Sequence, residues 1–267
     1  MIVTDEVKQG DFIKIAYTAK LEDGTVIDTT DEKVAKEYGL YDENARYGDI
    51  VIVVGEGNVV KGLDEQLVGK KVGFKGEIVV PPEKAFGKYD PKKREIISLR
   101  KLPEKPRPGQ RVRIGNRIGT VERVIGRRAI VDFNHPLAGK TIIFEVEIKE
   151  KVEDLADKVK ALFVMYTGLD VEVEIENDGK LVRVIPPKGA SLNQVFILGK
   201  YDAIAKAFKL LDIDTIEIVE RFVKKEEMEP IEAVKESEKD EESKSESEEE
   251  EKEEKSEGEK ESEEKTG

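Results

Sequence analysis

The chain has 267 residues, no cysteine, no tryptophan and a single histidine (His135), and charged residues make up 39% of it. Without cysteine there is no disulfide framework, thiolate metal site or cysteine nucleophile. One histidine leaves neither a His-rich metal centre nor a Ser-His triad, so no metal or cofactor is expected. The formal net charge of −13 is unevenly spread, with 14 basic and 5 acidic residues from Lys88 to Asp132 but 21 acidic and 7 basic from Glu226 to the end. The opening Met-Ile-Val-Thr-Asp-Glu-Val-Lys has no apolar leader-like stretch, and no apolar run reaches membrane-spanning length. A cytoplasmic protein without a membrane partner is therefore expected. The Glu/Lys bias is that of a thermophile's proteins.

Asp11–Thr18 reads as a strand with Ile13, Ile15 and Tyr17 on one face, and Leu21-Glu-Asp-Gly-Thr25 turns it back through Val26–Thr30. Asp31–Gly48 reads as a long polar excursion. Ile50–Gly55 is a strand running into a loop and a short helix whose apolar face carries Val59, Val60, Leu63 and Leu67. Glu77–Val80 is a further strand ended by Pro81-Pro82, and Ala85-Phe86-Gly87 closes the block. The pattern then stops and is completed only by Thr141–Ile148, where Ile142, Phe144, Val146 and Ile148 share one face. These periods predict an α+β domain, an antiparallel sheet wrapped over a short helix. Gly55-Glu-Gly-Asn-Val-Val-Lys-Gly62 lacks both the G-x-G-x-x-G spacing and a GK[ST] ending and is not read as a phosphate loop.

The interruption, Lys88–Asp132, is basic and punctuated by Gly and Pro, as an independent insert would be. Ile96, Ile97, Leu99 and Leu102 precede a turn containing Pro103, Pro106, Pro108 and Gly109; Arg111–Ile114 and Arg117–Val121 then alternate basic with apolar residues. Such a module suits capture of apolar segments, and its charge also suits RNA. Pro91–Val131 contains no aromatic residue, which weakens base stacking. Further on, Glu153–Tyr166 has helical apolar spacing, Val171–Glu176 and Leu181–Ile185 form a hairpin about Asn177-Asp178-Gly179, and Ser191 caps a second helix. That helix has Val195, Leu198, Ile204, Phe208 and Leu211 among its apolar positions. The strand Thr215–Glu220 completes an α-β-β-α-β unit, for which a structural or oligomerisation role is expected. From Glu236 onward the composition is that of a disordered, solubilising tail; folding back onto the basic insert is the competing reading.

Tyr17-Thr-x-x-Leu-Glu-Asp-Gly24, Ile27-Asp28-Thr29, Gly55 through Gly62-Leu63-Asp64, Ala85-Phe86-Gly87 and the strand through Phe144 resemble, in order and spacing, the FKBP-type peptidyl-prolyl cis-trans isomerases. Asn134-His-Pro-Leu-Ala-Gly-Lys140, with an insert before it, is similar to the SlyD-type subgroup, which carries an insert-in-flap chaperone domain; the extra C-terminal unit resembles the long archaeal form. The resemblance implies an isomerase domain over 1–88 and 133–152, an inserted chaperone domain over 89–132, a C-terminal α/β domain over 153–225 and an acidic tail over 226–267.

It also implies catalytic roles for Tyr17, Asp28, Val59, Val60, Leu63, Phe86 and Phe144. Leu63 would floor a proline pocket where many members carry Trp, with Phe144 and Val59 as walls. The Val60 N–H would hold the carbonyl before proline, and Asp28 with the Tyr17 hydroxyl would form a polar edge. Phe86 departs from the family's usual Tyr, which puts macrolide binding in doubt more than catalysis. Ile50 would complete the pocket, while Ile96, Leu99, Val112, Ile114, Ile118 and Val121 would contact clients in the insert. The expected partners are unfolded or nascent polypeptides with exposed X-Pro bonds, and a second copy through the C-terminal domain; nucleic acid is not expected. The competing readings are a binding-only holdase and a ribosome- or RNA-associated factor.

Overall fold

A computed structural model describes residues 6–102 and 106–222. The expected acidic tail and Pro103 lie outside the described residues. The elements, in chain order, are β1 (Phe12–Leu21), β2 (Val26–Thr29), α1 (Glu32–Glu37), β3 (Ile50–Val53), α2 (Lys61–Leu67), β4 (Lys75–Val80), β5 (Arg94–Ser98), β6 (Arg111–Ile114), β7 (Arg117–Ile125), β8 (Arg128–Asp132), β9 (Ile142–Lys151), α3 (Leu155–Thr167), β10 (Glu172–Glu176), β11 (Leu181–Ile185), α4 (Gln194–Leu210) and β12 (Thr215–Ile218). Among the described residues no helix is long and apolar enough to cross a membrane.

The first sheet is antiparallel and runs β2-β1-β9-β4, with β3 also paired to β1. β1 is long enough to hold β3 against its first half, Phe12–Ile15, and β2 against its second, Thr18–Lys20, while β9 lies along its other edge. Alternation then puts Ile13, Ile15, Ala19, Ile78, Val80, Ile142, Phe144, Val146 and Ile148 on the face that covers α2. Leu63 and Leu67 of α2 are completely buried there. The polar excursion after β2 is not wholly irregular. Asp31 accepts the N–H groups of Lys33 and Val34 and starts α1, whose Ala35 is buried. A helix of six residues with a single buried position leaves no apolar period to read.

Residues 91–132 build a separate four-stranded sheet, β5-β8-β7-β6, around Val112, Val121, Ala129 and Val131. The sequence leaves the first sheet after β4 and rejoins it at β9, so both ends of this module emerge at one place. Asn134 clasps that neck: its Oδ1 accepts the Asp90 N–H at 3.0 Å and its Nδ2 donates to the Asp90 carbonyl at 2.9 Å.

The third sheet, β10-β11-β12, has β12 parallel to β11 and is backed by α3 and α4. Its core is shared with the first sheet, because Phe12 and Val53 are buried among Val159, Leu162, Phe163, Val182 and Phe196. The helix cap expected at Ser191 is made instead by Asn193, whose side chain accepts from Val195 and Phe196; Ala190–Leu192 is a 3₁₀ turn. The buried face of α4 is Phe196, Gly199, Ala203 and Ala207 rather than the larger residues. A Cβ on Gly199 would stand 2.1 Å from the Tyr166 carbonyl oxygen, so α3 and α4 approach too closely for bulky contacts. Val195, Leu198 and Phe208, expected to pack, are consequently exposed.

Candidate active site

The loop between β3 and α2 is fixed before any ligand arrives. Gly55 has φ +87°, and a Cβ there would collide with Gln9. The buried Asp64 carboxylate accepts the Gly55 and Gly57 N–H groups at 2.7 and 3.1 Å, and Asn58 Oδ1 accepts the Val53 N–H at 2.8 Å. Tied at these points, the loop delivers Val59 and Val60 to the mouth of α2. The Val60 carbonyl accepts the N–H groups of Leu63 and Asp64, whereas its own N–H donates to no group among the described residues. At a helix N-terminus this is an unspent donor that carries the positive end of the helix dipole. Gly62 lets α2 lie flat on β4, since a Cβ would stand 2.4 Å from Val80 Cγ1.

Across from this loop, Tyr17 on β1 and Phe144 on β9 share a face, their rings edge to face at 5.8 Å and 67°. The Tyr17 hydroxyl donates to Asp28 Oδ2 at 2.7 Å. Burial of the ring, then the hydrogen bond to Asp28 and its charge, push the phenol well above the ordinary tyrosine value. Tyr17 is therefore a neutral donor across the physiological range.

The remaining wall comes from the loop after β4. There Ala85 and Gly87 both donate to the Pro82 carbonyl, at 3.1 and 2.7 Å, presenting Phe86. Phe86 lies flat against His135, with ring centroids 4.6 Å apart and planes 1° from parallel. The imidazole is held by its Nδ1, which accepts the Leu137 N–H at 3.1 Å.

Leu63 and Phe144 are buried, and Tyr17, Ile50, Val59, Val60 and Phe86 pack half-buried against the same cluster, with Asp28 at its exposed rim. Ile27 packs there too; its place beside Asp28 was the signal for it. The stack of His135 on Phe86 was not visible at all, because 49 positions separate the two. A cleft of about 700 Å³ between β3 and α3 touches the candidate site only at Ile50. It is lined by charges already engaged, such as Arg46 with Asp170 and Lys14 with Glu150.

The client residues expected in the insert divide. Ile96 and Ile118 are exposed, at 66% and 45%, while Leu99 and Ile114 are half-buried on the insert's own core. Val112 and Val121 are fully buried and hold the module together, so they are unavailable to a client. Their inward alternation on β6 and β7 leaves no room for an apolar groove on that side. The exposed set instead adds Ile125, at 56%.

A sheet folded over one short helix, with an apolar cluster that includes Phe86 and Phe144 and a tyrosine braced by Asp28, defines the architecture. Residues 4–149 match the family model for FKBP-type peptidyl-prolyl cis-trans isomerases. The chain is 31% identical over 147 residues to a short-type peptidyl-prolyl cis-trans isomerase of Methanocaldococcus jannaschii, covering 54% of this chain and 93% of that protein. It is 30% identical over 160 residues to the FKBP-type isomerase SlyD of Treponema pallidum, covering 56% and 81%. It is 28% identical over 155 residues to an FKBP-type 16 kDa isomerase of Escherichia coli, covering 55% and 95%. The chain belongs to the FKBP-type peptidyl-prolyl cis-trans isomerase family and is an enzyme of that type, similar to SlyD.

Proposed function

We propose that X-Pro bonds are isomerised at the cluster of Tyr17, Asp28, Ile50, Val59, Val60, Leu63, Phe86 and Phe144, and that the insert holds the client chain while this happens. The barrier to rotation is about 20 kcal/mol and reflects amide resonance. Water reinforces the planar form by solvating its polarised carbonyl, and an apolar site that receives the proline ring removes that solvation and favours the twisted, less polar state. A thousandfold acceleration needs only about 4 kcal/mol. The observation that carries the reading is the unspent Val60 N–H at the mouth of α2, beside the cluster in which Leu63 and Phe144 are buried. It suits a carbonyl whose orientation the twisting bond must keep.

The test is exchange spectroscopy of a Leu-Pro peptide with catalytic amounts of enzyme. Faster exchange with the native protein and a loss of about tenfold or more in Phe144→Ala supports the site; equal rates in both place catalysis elsewhere.

Exposed Ile96, Ile118 and Ile125 support client holding by residues 89–132. Substituting Ile96→Asp and Ile125→Asp together should spare the short peptide and slow proline-limited refolding of an unfolded protein. Equal slowing of both would remove this division of labour.

A second copy is the partner proposed for residues 153–222. Ile197, Leu198, Tyr201 and Phe208 form an exposed stripe on α4. Sedimentation equilibrium that stays monomeric at high protein concentration excludes this pairing.

A further inference from the structure

A second hollow, of about 260 Å³, opens where the insert meets the isomerase body, lined by Arg111, Ile118, Thr120, Phe133, His135 and Pro136. His135 also stacks on Phe86, so this hollow and the proposed proline site share a wall. Strand register carries the same surface outward along the insert. Arg111 lies opposite Thr120, and Arg113 opposite Ile118. Ile96, Ile130 and Arg123 form one row across the sheet, and Ser98, Arg128 and Ile125 the next.

Two other arginines of the insert already have carboxylates: Arg94 chelates Glu122 and Arg117 pairs with Glu95. Arg111, Arg113, Arg123 and Arg128 pair with no carboxylate among the described residues, and they alternate with exposed Ile96, Ile118 and Ile125. Because alternate residues of a strand share a face, this surface suits an extended polypeptide whose every second side chain is acidic or aliphatic. Nucleic acid fits less well. Isoleucines offer nothing to a phosphate backbone, and these strands carry no aromatic residue for stacking bases.

We infer that this face selects acidic client segments, and that Arg111 receives a carboxylate of the chain whose proline is being isomerised. This rests on the reading that the insert holds clients.

The experiment uses the full-length protein and three peptides of equal length, each a Leu-Pro centre flanked by segments in which Glu, Gln or Lys alternates with Ile at every second position and Ser stands between them. Exchange spectroscopy gives kcat/KM for each. The Glu peptide should exceed the Gln peptide about three- to tenfold at low salt, narrowing as salt rises. Arg111→Glu should invert the order so that the Lys peptide leads. A Glu-to-Gln ratio of one in the native protein, or one that Arg111→Glu leaves unaltered, overturns the inference. Displacement of the Glu peptide by an unstructured RNA oligonucleotide at concentrations below the peptide's own Kd also overturns it, assigning the face to nucleic acid. Refolding assays separate the two layers. Insensitivity of refolding to Ile96→Asp with Ile125→Asp removes client holding itself, and the inference with it. Impaired refolding together with a Glu-to-Gln ratio of one removes the acidic preference alone.

Discussion

His135 lies face to face with Phe86, 4.6 Å between ring centroids, and thereby joins the neck of the insert to a wall of the isomerase site. The insert leaves the body just after Phe86 and returns to it just before His135, so this stack spans its neck. Such a stacked contact contributes about 0.5–1.5 kcal/mol beyond its buried area.

His135→Ala should therefore lower kcat/KM on a short Leu-Pro peptide about threefold, mainly through KM, and His135→Phe should restore it by replacing the flat ring. Kinetics of the two variants side by side check this. A role confined to folding would change melting temperature and leave KM alone.

Tyr17 and Asp28 make the one hydrogen-bonded polar edge of the site. Tyr17→Phe should cost about 1 kcal/mol of stability and a severalfold loss in rate. The phenol's raised value also has a pH consequence. A group that holds its proton more tightly folded than unfolded contributes stability fully below its unfolded value, near pH 10, and loses that contribution as pH rises from there toward its folded value. Denaturant titrations at pH 8 and pH 11 should differ by less in Tyr17→Phe than in the native protein. Absorbance titration should show a late-titrating tyrosine that is missing in Tyr17→Phe.

Leu63 and Leu67 are both completely buried on α2, one turn apart. Each truncated to Ala should lose about 2–5 kcal/mol. Leu63→Ala should also depress kcat/KM under conditions where both variants are folded, whereas Leu67→Ala should retain it. Matching losses of activity would mean that the floor of the site is not Leu63.

Glu56, in the loop after β3, binds Lys206 and Lys209 of α4, the latter at 2.8 and 2.9 Å. The two ammonium groups hold its carboxyl below the usual glutamate range. This contribution is present above the ordinary value near 4.5 and fades as pH falls through it toward the lower folded value. Glu56→Gln should weaken the seating of α4 by about 1 kcal/mol. Amide hydrogen exchange should then quicken in α4 at neutral pH while β1 and β9 stay protected.

Much of the apolar cluster about α2 could be read directly from the chain, since it is assembled from strand alternation and short turns. Tyr17 and Phe144 lie on the sheet faces that period two assigns them, whereas Val59 and Val60, expected on the helix face, stand in the loop before α2. The orientation of α4 could not be read that way. Its largest apolar residues suggested the buried face, but the tight approach to α3 admits only Gly199, Ala203 and Ala207 beside Phe196. On β6 and β7 the sequence offered Val112, Ile114, Ile118 and Val121 together as client contacts and gave no sign of which face was inside; Val112 and Val121 are buried while Ile118 is exposed.

The sequence by itself determined the family, the break in the first sheet and the uneven charge. Only the tertiary structure decided which side of the insert is free, which face of α4 is covered, and that His135 rests on Phe86. The physical reason is that periodicity specifies which side chains travel together, whereas burial depends on what distant chain arrives to cover them.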